Sequence, residues 1–378
     1  MNFLVVFIPF AFAIILGRIM FPFILLVSYR KRLFDPIDER KLHQRIIPRL
    51  GGVAFAPIQC CLLVLTLVVI FKLTSINLHV ESWAILPSLM VLVCGLFILY
   101  VVGLGDDLVG VDYKWKFLIQ ICVASLFPLS GLWINDCYGL FFIGSLSPWI
   151  GFPITIFIVV LIINAINLMD GLDGLCSGVV GVGCLFLGTL FLLERAWLHA
   201  LFAFITTGVL IPFFYYNVFG TSRRKRQIFM GDTGSMTLGF SMSFLAISFA
   251  MNNHFIKPFS LGAITVACST LIIPVFDVAR VVYVRWRIGK PLFKPDRNHL
   301  HHKLLRMGLS RKATLLTILF LTLFFPVINC FLVKYVDSNI VVGCDILLWL
   351  GVHLSFNLEE KRRGKIKSKS YLTTKLHI

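Results

Sequence analysis

Charge is scarce in this sequence, and acidic charge is scarcest. Only 14% of the residues are Asp, Glu, Lys or Arg, with 18 acidic residues against 35 Lys and Arg. Soluble domains carry about 25% charged residues, so this chain lacks the polar surface of one. Long polar stretches are missing as well. The longest have only about 20–30 residues, which leaves no soluble domain between the apolar runs. There is no CxxC, and nine of the ten cysteines lie in or beside apolar runs. That excludes a thiol-redox motif and a cysteine zinc knuckle; the cysteines read as small hydrophobes. No internal repeat marks out the two halves of a secondary transporter.

What is present is apolar sequence. Hydrophobic residues make up 58% and the mean hydropathy is +0.90. Runs of roughly 18 or more apolar residues recur along the chain, each enough to cross a ~30 Å hydrocarbon core. Spans are expected at 3–28, 51–71, 83–103, 117–133, 151–168, 175–193, 198–216, 233–251, 259–283, 313–333 and 339–357. The fold class is therefore all-α, a polytopic membrane protein of about eleven helices, because helices satisfy their own backbone in lipid. The run from Phe3 has no basic n-region or cleavage site and reads as a retained span. Residues 1–357 are expected to form a single transmembrane domain, followed by a basic tail at 358–378. The loops alternate sharply in charge: 29 of the 35 Lys and Arg fall on one side. The positive-inside rule then places the N-terminus outside and the C-terminus in the cytoplasm. It also accounts for the +17 net charge without nucleic acid. The segment Tyr138 to Gly151 reads as a small β-hairpin or interfacial loop.

The unusual polar residues collect on the side assigned to the cytoplasm. After ITIFIVVLII comes NAINLMDGLDGL, with Asn164, Asn167, Asp170 and Asp173 at a spacing of three. Such a series stays near one helix face, and Gly171 and Gly174 then break the helix. Asp106 and Asp107 lie together in GLGDDLVGVDYKWK, Asp232 in FMGDTGS, and His299, His301 and His302 in RNHLHHKLL. Adjacent aspartates repel unless a cation neutralises them. Hard oxygen ligands from several loops suit Mg²⁺ and phosphates, with Mn²⁺ as a substitute ion. The histidines are not explained by loop charge bias, because imidazole is largely neutral at pH 7. A zinc site lacks a cysteine or a helical His-x-x-x-His, so phosphate binding is the preferred role. Together these features point to phosphoryl transfer involving a lipid.

Taken together, HQRIIPRLGG (His43 to Gly52), GLGDDLVGVDYKWK, NAINLMDGLDGL, FMGDTGS and DRNHLHH resemble the polyprenyl-phosphate N-acetylhexosamine-1-phosphate transferase superfamily. The resemblance covers about residues 1–357, in the family's order. The His-Leu-His-His form is similar to the undecaprenyl-phosphate GlcNAc-1-phosphate transferase branch, which starts O-antigen, capsule or teichoic acid type polymers. It departs from the three consecutive histidines of the phospho-MurNAc-pentapeptide transferases. The resemblance implies a bacterial inner-membrane enzyme that passes a sugar 1-phosphate from a UDP-N-acetylhexosamine to undecaprenyl phosphate, releasing UMP. It implies Mg²⁺ on Asn167 and Asp232, uracil at Asp173 and diphosphate at Lys116. It places Asp106 and Asp107 at the lipid phosphate, and Arg297, His299, His301 and His302 at sugar and phosphate. Asp170 is a site residue without an assigned role. A homodimer is compatible with this scheme.

Other classes fit the sequence less well. GLGD (Gly103 to Asp106) is similar to the Gly-x-Gly-Asp of intramembrane aspartyl proteases, but no preceding span carries the second aspartate. A transporter would show ionisable residues at mid-membrane, where Asp345 and Arg18 are the candidates.

Overall fold

A computed structural model describes residues 2–33, 48–73, 81–221, 226–289 and 298–375. Helices α1 (Asn2–Lys31), α2 (Phe55–Leu73), α3 (Glu81–Val109) and α4 (Tyr113–Leu129) come first. They are followed by α5 (Pro148–Leu168), α6 (Leu175–Leu193), α7 (Trp197–Phe214), α8 (Gly231–Ala250) and α9 (Ala263–Ser269). The chain ends with α10 (Ile272–Arg287), α11 (Leu300–Arg306), α12 (Arg311–Leu332) and α13 (Ser338–Lys375). Arg297 and the motif residues 43–47 lie outside the described residues.

Among the described residues nine helices are long and apolar enough to cross a membrane, and ten if a bent pair counts as one span. That pair is α9 and α10, within the expected span 259–283, and it bends by 72°. Pro274 explains the break, since it has no N–H to give the carbonyl four residues back, at Thr270. The remaining expected span, 117–133, is α4. Its 17 residues reach about 26 Å, short of a ~30 Å core. The segment expected as a hairpin or interfacial loop has a single antiparallel bridge, Asp136 to Ser145, and a 3-10 turn at Leu140–Phe142.

Helix α8 is the axis of the bundle. Its mean hydropathy, 1.2, is the lowest of the spans, yet every residue of its apolar window is enclosed by protein. Small side chains make this work. A Cβ on Gly52 would meet Gly234 at 2.2 Å, and one on Gly103 would meet the Thr233 Cα at 2.5 Å. Without those methyls, α3 and the loop before α2 lie directly on the first turn of α8. The hydroxyls of Thr237, Ser241 and Ser243 donate to carbonyls one turn back, at 2.8–2.9 Å. No polar group of theirs is therefore stranded among the surrounding helices.

Helix α13 packs on the flank. Asn339 at its start donates to the Gly139 carbonyl at 3.0 Å, and Asn329 of α12 donates to Asp345 at 2.6 Å. The aspartate named above as a mid-membrane transport candidate is therefore a helix–helix contact.

Candidate active site

The close approach at Gly103 brings the last turn of α3 against the first turn of α8. Successive residues of a helix point about 100° apart. Asp106 and Asp107 therefore face different partners. Asp107 turns inward, and its side chain has 0% exposure. One oxygen accepts from the Asp232 backbone N–H at 2.8 Å; the other accepts from the N–H and hydroxyl of Thr233 at 3.0 and 2.6 Å. It caps α8 from outside, supplying the acceptors that helix N-termini lack and a negative charge at the positive end of the dipole. Its hydrogen bonds hold the start of α8, and with it Asp232, in place.

Asp106 faces the opening. It accepts from the Val111 N–H at 2.7 Å, which fixes the turn into α4. Lys116 reaches back from α4 and places its ammonium 3.0 Å from Asp106 and 3.0 Å from Asp232, bridging the two carboxylates. Asn167, at the end of α5, donates to Asp232 at 3.2 Å and to Ser235 at 2.8 Å. Its NH₂ is thus turned into α8, leaving the amide carbonyl as the atom for a hard cation. Asn164, one turn earlier, donates to Gln120 of α4 at 2.6 Å and to the Val160 carbonyl. It braces the helix end.

Arg49 completes this group. Backbone bonds from Phe229 to Pro48, Gly51 to Phe229 and Gly52 to Met230, at 2.8–2.9 Å, lay its segment along the approach to α8. Its guanidinium is 3.5 Å from Asp107 and 3.9 Å from Asp232. Asp170 keeps access to water while protein crowds it closely, as at the base of a cleft. That enclosure pushes its carboxyl well above the usual range, with the charge of Asp232 adding to it and Arg49 opposing it.

Asp173 lies three residues beyond Asp170 in the turn between α5 and α6, beside Gln227, whose amide donates to it at 3.3 Å. Burial raises its carboxyl to about 6 against the pull of Arg311. The turn ends at Gly174, whose φ of +80° opens α6 and whose N–H donates to Asn217. The Asn217 amide in turn donates to the Ile228 carbonyl at 2.7 Å, tying the turn to the segment that leads into α8.

The histidines arrive from the other direction. Asp277 of α10 has 0% exposure and accepts from Arg280 at 2.9 Å and from the Leu300 N–H at 3.0 Å. The His299 Nδ1 lies 2.9 Å from its second oxygen. This carboxylate anchors the start of α11. His301 has 1% exposure and sits against Gly171: a Cβ there would come within 2.6 Å of its Nε2. Burial, with the charges of His302 and His299, lowers the His301 imidazole to about 3, so it is neutral at physiological pH. The His301 and His302 ring centroids are 4.2 Å apart.

Asp106, Lys116, Asn167, Asp170 and Asp232 thus form one group; His299, His301 and His302 form a second that meets it at Gly171. Asp173 sits at the far end of the shared turn. Arg49, Gln227 and Asp277 were not singled out as site residues, although Arg49 lies in the quoted RLGG motif. Four carboxylates (Asp106, Asp107, Asp170, Asp232) surround two cations, Lys116 and Arg49, so the group carries an excess of negative charge. No cluster of three His, Cys, Asp or Glu able to hold a metal occurs among the described residues. One or two oxygen ligands of protein origin are what Mg²⁺ uses when phosphates and water complete its shell, and Asp232 with Asn167 fits that pattern.

Fold and site together define a multi-pass helical membrane protein with an acidic and histidine-lined centre at one end of its bundle. Residues 89–250 match the family described as glycosyl transferase family 4. The chain is 28% identical over 89% of its length, and 84% of the relative's, to a probable undecaprenyl-phosphate N-acetylglucosaminyl 1-phosphate transferase of Bacillus subtilis. It is 29% identical over 77% of its length, and 74% of theirs, to the undecaprenyl-phosphate alpha-N-acetylglucosaminyl 1-phosphate transferases of Yersinia pestis and Escherichia coli K12. The family match and the relatives support the superfamily that the motifs resemble.

Proposed function

We infer that the protein transfers N-acetylhexosamine 1-phosphate, GlcNAc 1-phosphate in the first instance, from its UDP-sugar to undecaprenyl phosphate. The names of its relatives support the acceptor and the sugar. The observation that carries the reading is Lys116, bridging Asp106 and Asp232 beside Asn167, with the histidine helix closing on the same turn. A cation held between carboxylates next to the neutral imidazole of His301 suits a diphosphate.

In the reaction an oxygen of the lipid phosphate forms a bond to the phosphorus that bears the sugar. The bond from that phosphorus to the bridging oxygen breaks, and UMP leaves with the electron pair. Both partners are anions, so their approach must be offset by positive charge and aimed donors. Mg²⁺, held by Asp232 and Asn167, supplies charge neutralisation and Lewis acidity at the diphosphate. Lys116 stands beside it as a fixed cation. Asp106, between Lys116 and the opening, orients the attacking phosphate or takes its remaining proton. Asp107 keeps Asp232 in place. Asp173 with Gln227 offers an acceptor and an amide to the uracil edge. His299 and His301 bind the sugar phosphate, His301 as a neutral imidazole. The strong basic bias of the loops at this end supports a cytoplasmic site in a bacterial inner membrane, the compartment of UDP-sugars. The product would open a cell-surface polysaccharide.

The test uses membranes containing the protein, with polyprenyl phosphate, Mg²⁺ and a panel of labelled UDP-N-acetylhexosamines. Butanol-extractable label and stoichiometric UMP are expected with at least one sugar. Silence with every UDP-N-acetylhexosamine rejects the reading.

A further inference from the structure

Helix α11 has only seven residues, too few to hold a helical shape or a position unaided. Asp277 fixes its start through Leu300 and His299. Its other face turns away from the site toward α13. There Lys303, with 3% exposure, places its ammonium 3.2 Å from His353 Nδ1 and 3.2 Å from the His353 carbonyl oxygen. One turn on, the Arg306 guanidinium is 2.7 Å from Glu360.

His353 and Glu360 are seven residues apart, two turns along one face of α13. The same stripe continues away from the site. The Trp349 ring lies 4.7 Å from that of His353 and packs edge-on to Phe276, which neighbours Asp277 in the chain. One turn further, Asp345 accepts from Asn329 of α12. At the far end Asn339 grips the loop at Gly139. The stripe Asp345, Trp349, His353 and Glu360 therefore joins α12, α10 and α11 in series, and none of its members touches the acidic group.

Lys303 is the informative member. An ammonium buried this deeply is costly unless hydrogen bonds offset the lost water, and burial, with Arg280 and Arg306, lowers it to about 8. It points away from the substrate side, so it is not a phosphate ligand. Its two contacts with His353, one to a backbone carbonyl, fix both the height and the rotation of α11.

We propose that α13 is a strap that sets the histidine helix, and that the Lys303–His353 contact behind α11 holds His301 against Gly171, making both residues positioning residues for sugar 1-phosphate transfer. The proposal rests on the reaction inferred above. A displacement near 1 Å at a reacting centre can cost about 100-fold in rate, whereas the acidic group, carried by α3, α4, α8 and the end of α5, is untouched by it.

The experiment uses the full chain in lipid nanodiscs, comparing wild type with Lys303→Met, His353→Phe, the double variant, Lys303→Arg and the gentler Glu360→Gln. Amide hydrogen exchange is read across 300–306, and kcat and KM are read for both substrates. At least tenfold faster exchange in α11 is expected for the Met and Phe variants and a smaller rise for Glu360→Gln, with α8 unchanged. The kcat/KM for the UDP-sugar should fall about 10–100-fold while the KM for lipid phosphate holds. The double variant should be no worse than either single one, and Lys303→Arg should recover part of the loss. Unchanged exchange in α11, additive losses, or an equal fall for both substrates overturns the proposal. The exchange arm needs no turnover: a wild type inactive on every UDP-sugar rejects the reaction and leaves the strap decided by exchange.

Discussion

The imidazole of His301 rests on the backbone of Gly171, with 2.6 Å between its Nε2 and the point where a β-carbon would stand. Two segments 130 residues apart in the chain thus touch at the one place where neither can move without the other. Gly171→Ala should push His301 back and lower kcat/KM for the UDP-sugar about 10–100-fold. Thermal unfolding should shift by only a few degrees, because the alanine can be met by a small retreat of α11. A wild-type rate in Gly171→Ala would show that His301 need not sit there.

Asp107 and Asp232 should separate when mutated, although a hydrogen bond joins them in one group. Asp232→Asn removes a proposed metal ligand while keeping its shape, and should largely abolish UMP release from a normally folded protein. Asp107→Ala removes three hydrogen bonds to the start of α8. It should destabilise the fold by about 1–2 kcal/mol, as lost helix caps do, and lower activity through Asp232. Circular dichroism melts beside turnover assays distinguish the two patterns. Equal melting temperatures for both variants would remove the capping role.

Nucleotide binding should titrate near pH 6. The Asp173 carboxyl is raised to about 6 by burial and held down by Arg311. It is therefore protonated below that value and charged above it. If the charged form accepts from uracil, affinity for the UDP-sugar rises with pH through about 6 and levels off above it. Asp173→Asn should flatten the profile, and Arg311→Ala should move its midpoint up. A midpoint that ignores both substitutions assigns the titration elsewhere.

Chelation should stop the reaction without unfolding the chain. EDTA is expected to abolish turnover, with Mg²⁺ restoring it fully and Mn²⁺ in part. Lys116→Met should leave Asp106 and Asp232 facing each other unshielded, so it should slow transfer while lowering the cation concentration needed, because a competing positive charge is gone. Full activity in EDTA would rule out the metal assignment for Asp232 and Asn167.

The polar series Asn164 to Asp173 was legible because two amides and two carboxylates at a spacing of three are unusual at the end of an apolar run. The histidine cluster stood out for the same reason. What spacing could not reveal was the division of labour between neighbours. Asp106 and Asp107 look equivalent in a string, and only the helical rotation between them sends one to Lys116 and the other to Thr233. Arg49 and Asp277 were hidden differently. Arg49 looked like one more basic loop residue, and Asp277 gains its meaning from His299, 22 positions away. The spans were readable from hydropathy, but the bend between α9 and α10 needed Pro274 to be weighed against its partner carbonyl.

Helix α8 also bears on how the protein is assembled in the bilayer. With a mean hydropathy of 1.2 against 2.2–2.7 for α3, α5 and α6, it is the span least able to enter lipid by itself. Those three helices precede it in the chain, so a prepared set of neighbours exists when it leaves the ribosome. Its insertion should therefore depend on them. A glycosylation-mapped α8 placed alone in a carrier protein should insert poorly, and restoring α3 to α7 ahead of it should rescue the insertion. Asp232, the proposed metal ligand, would then enter the membrane only after its partners have.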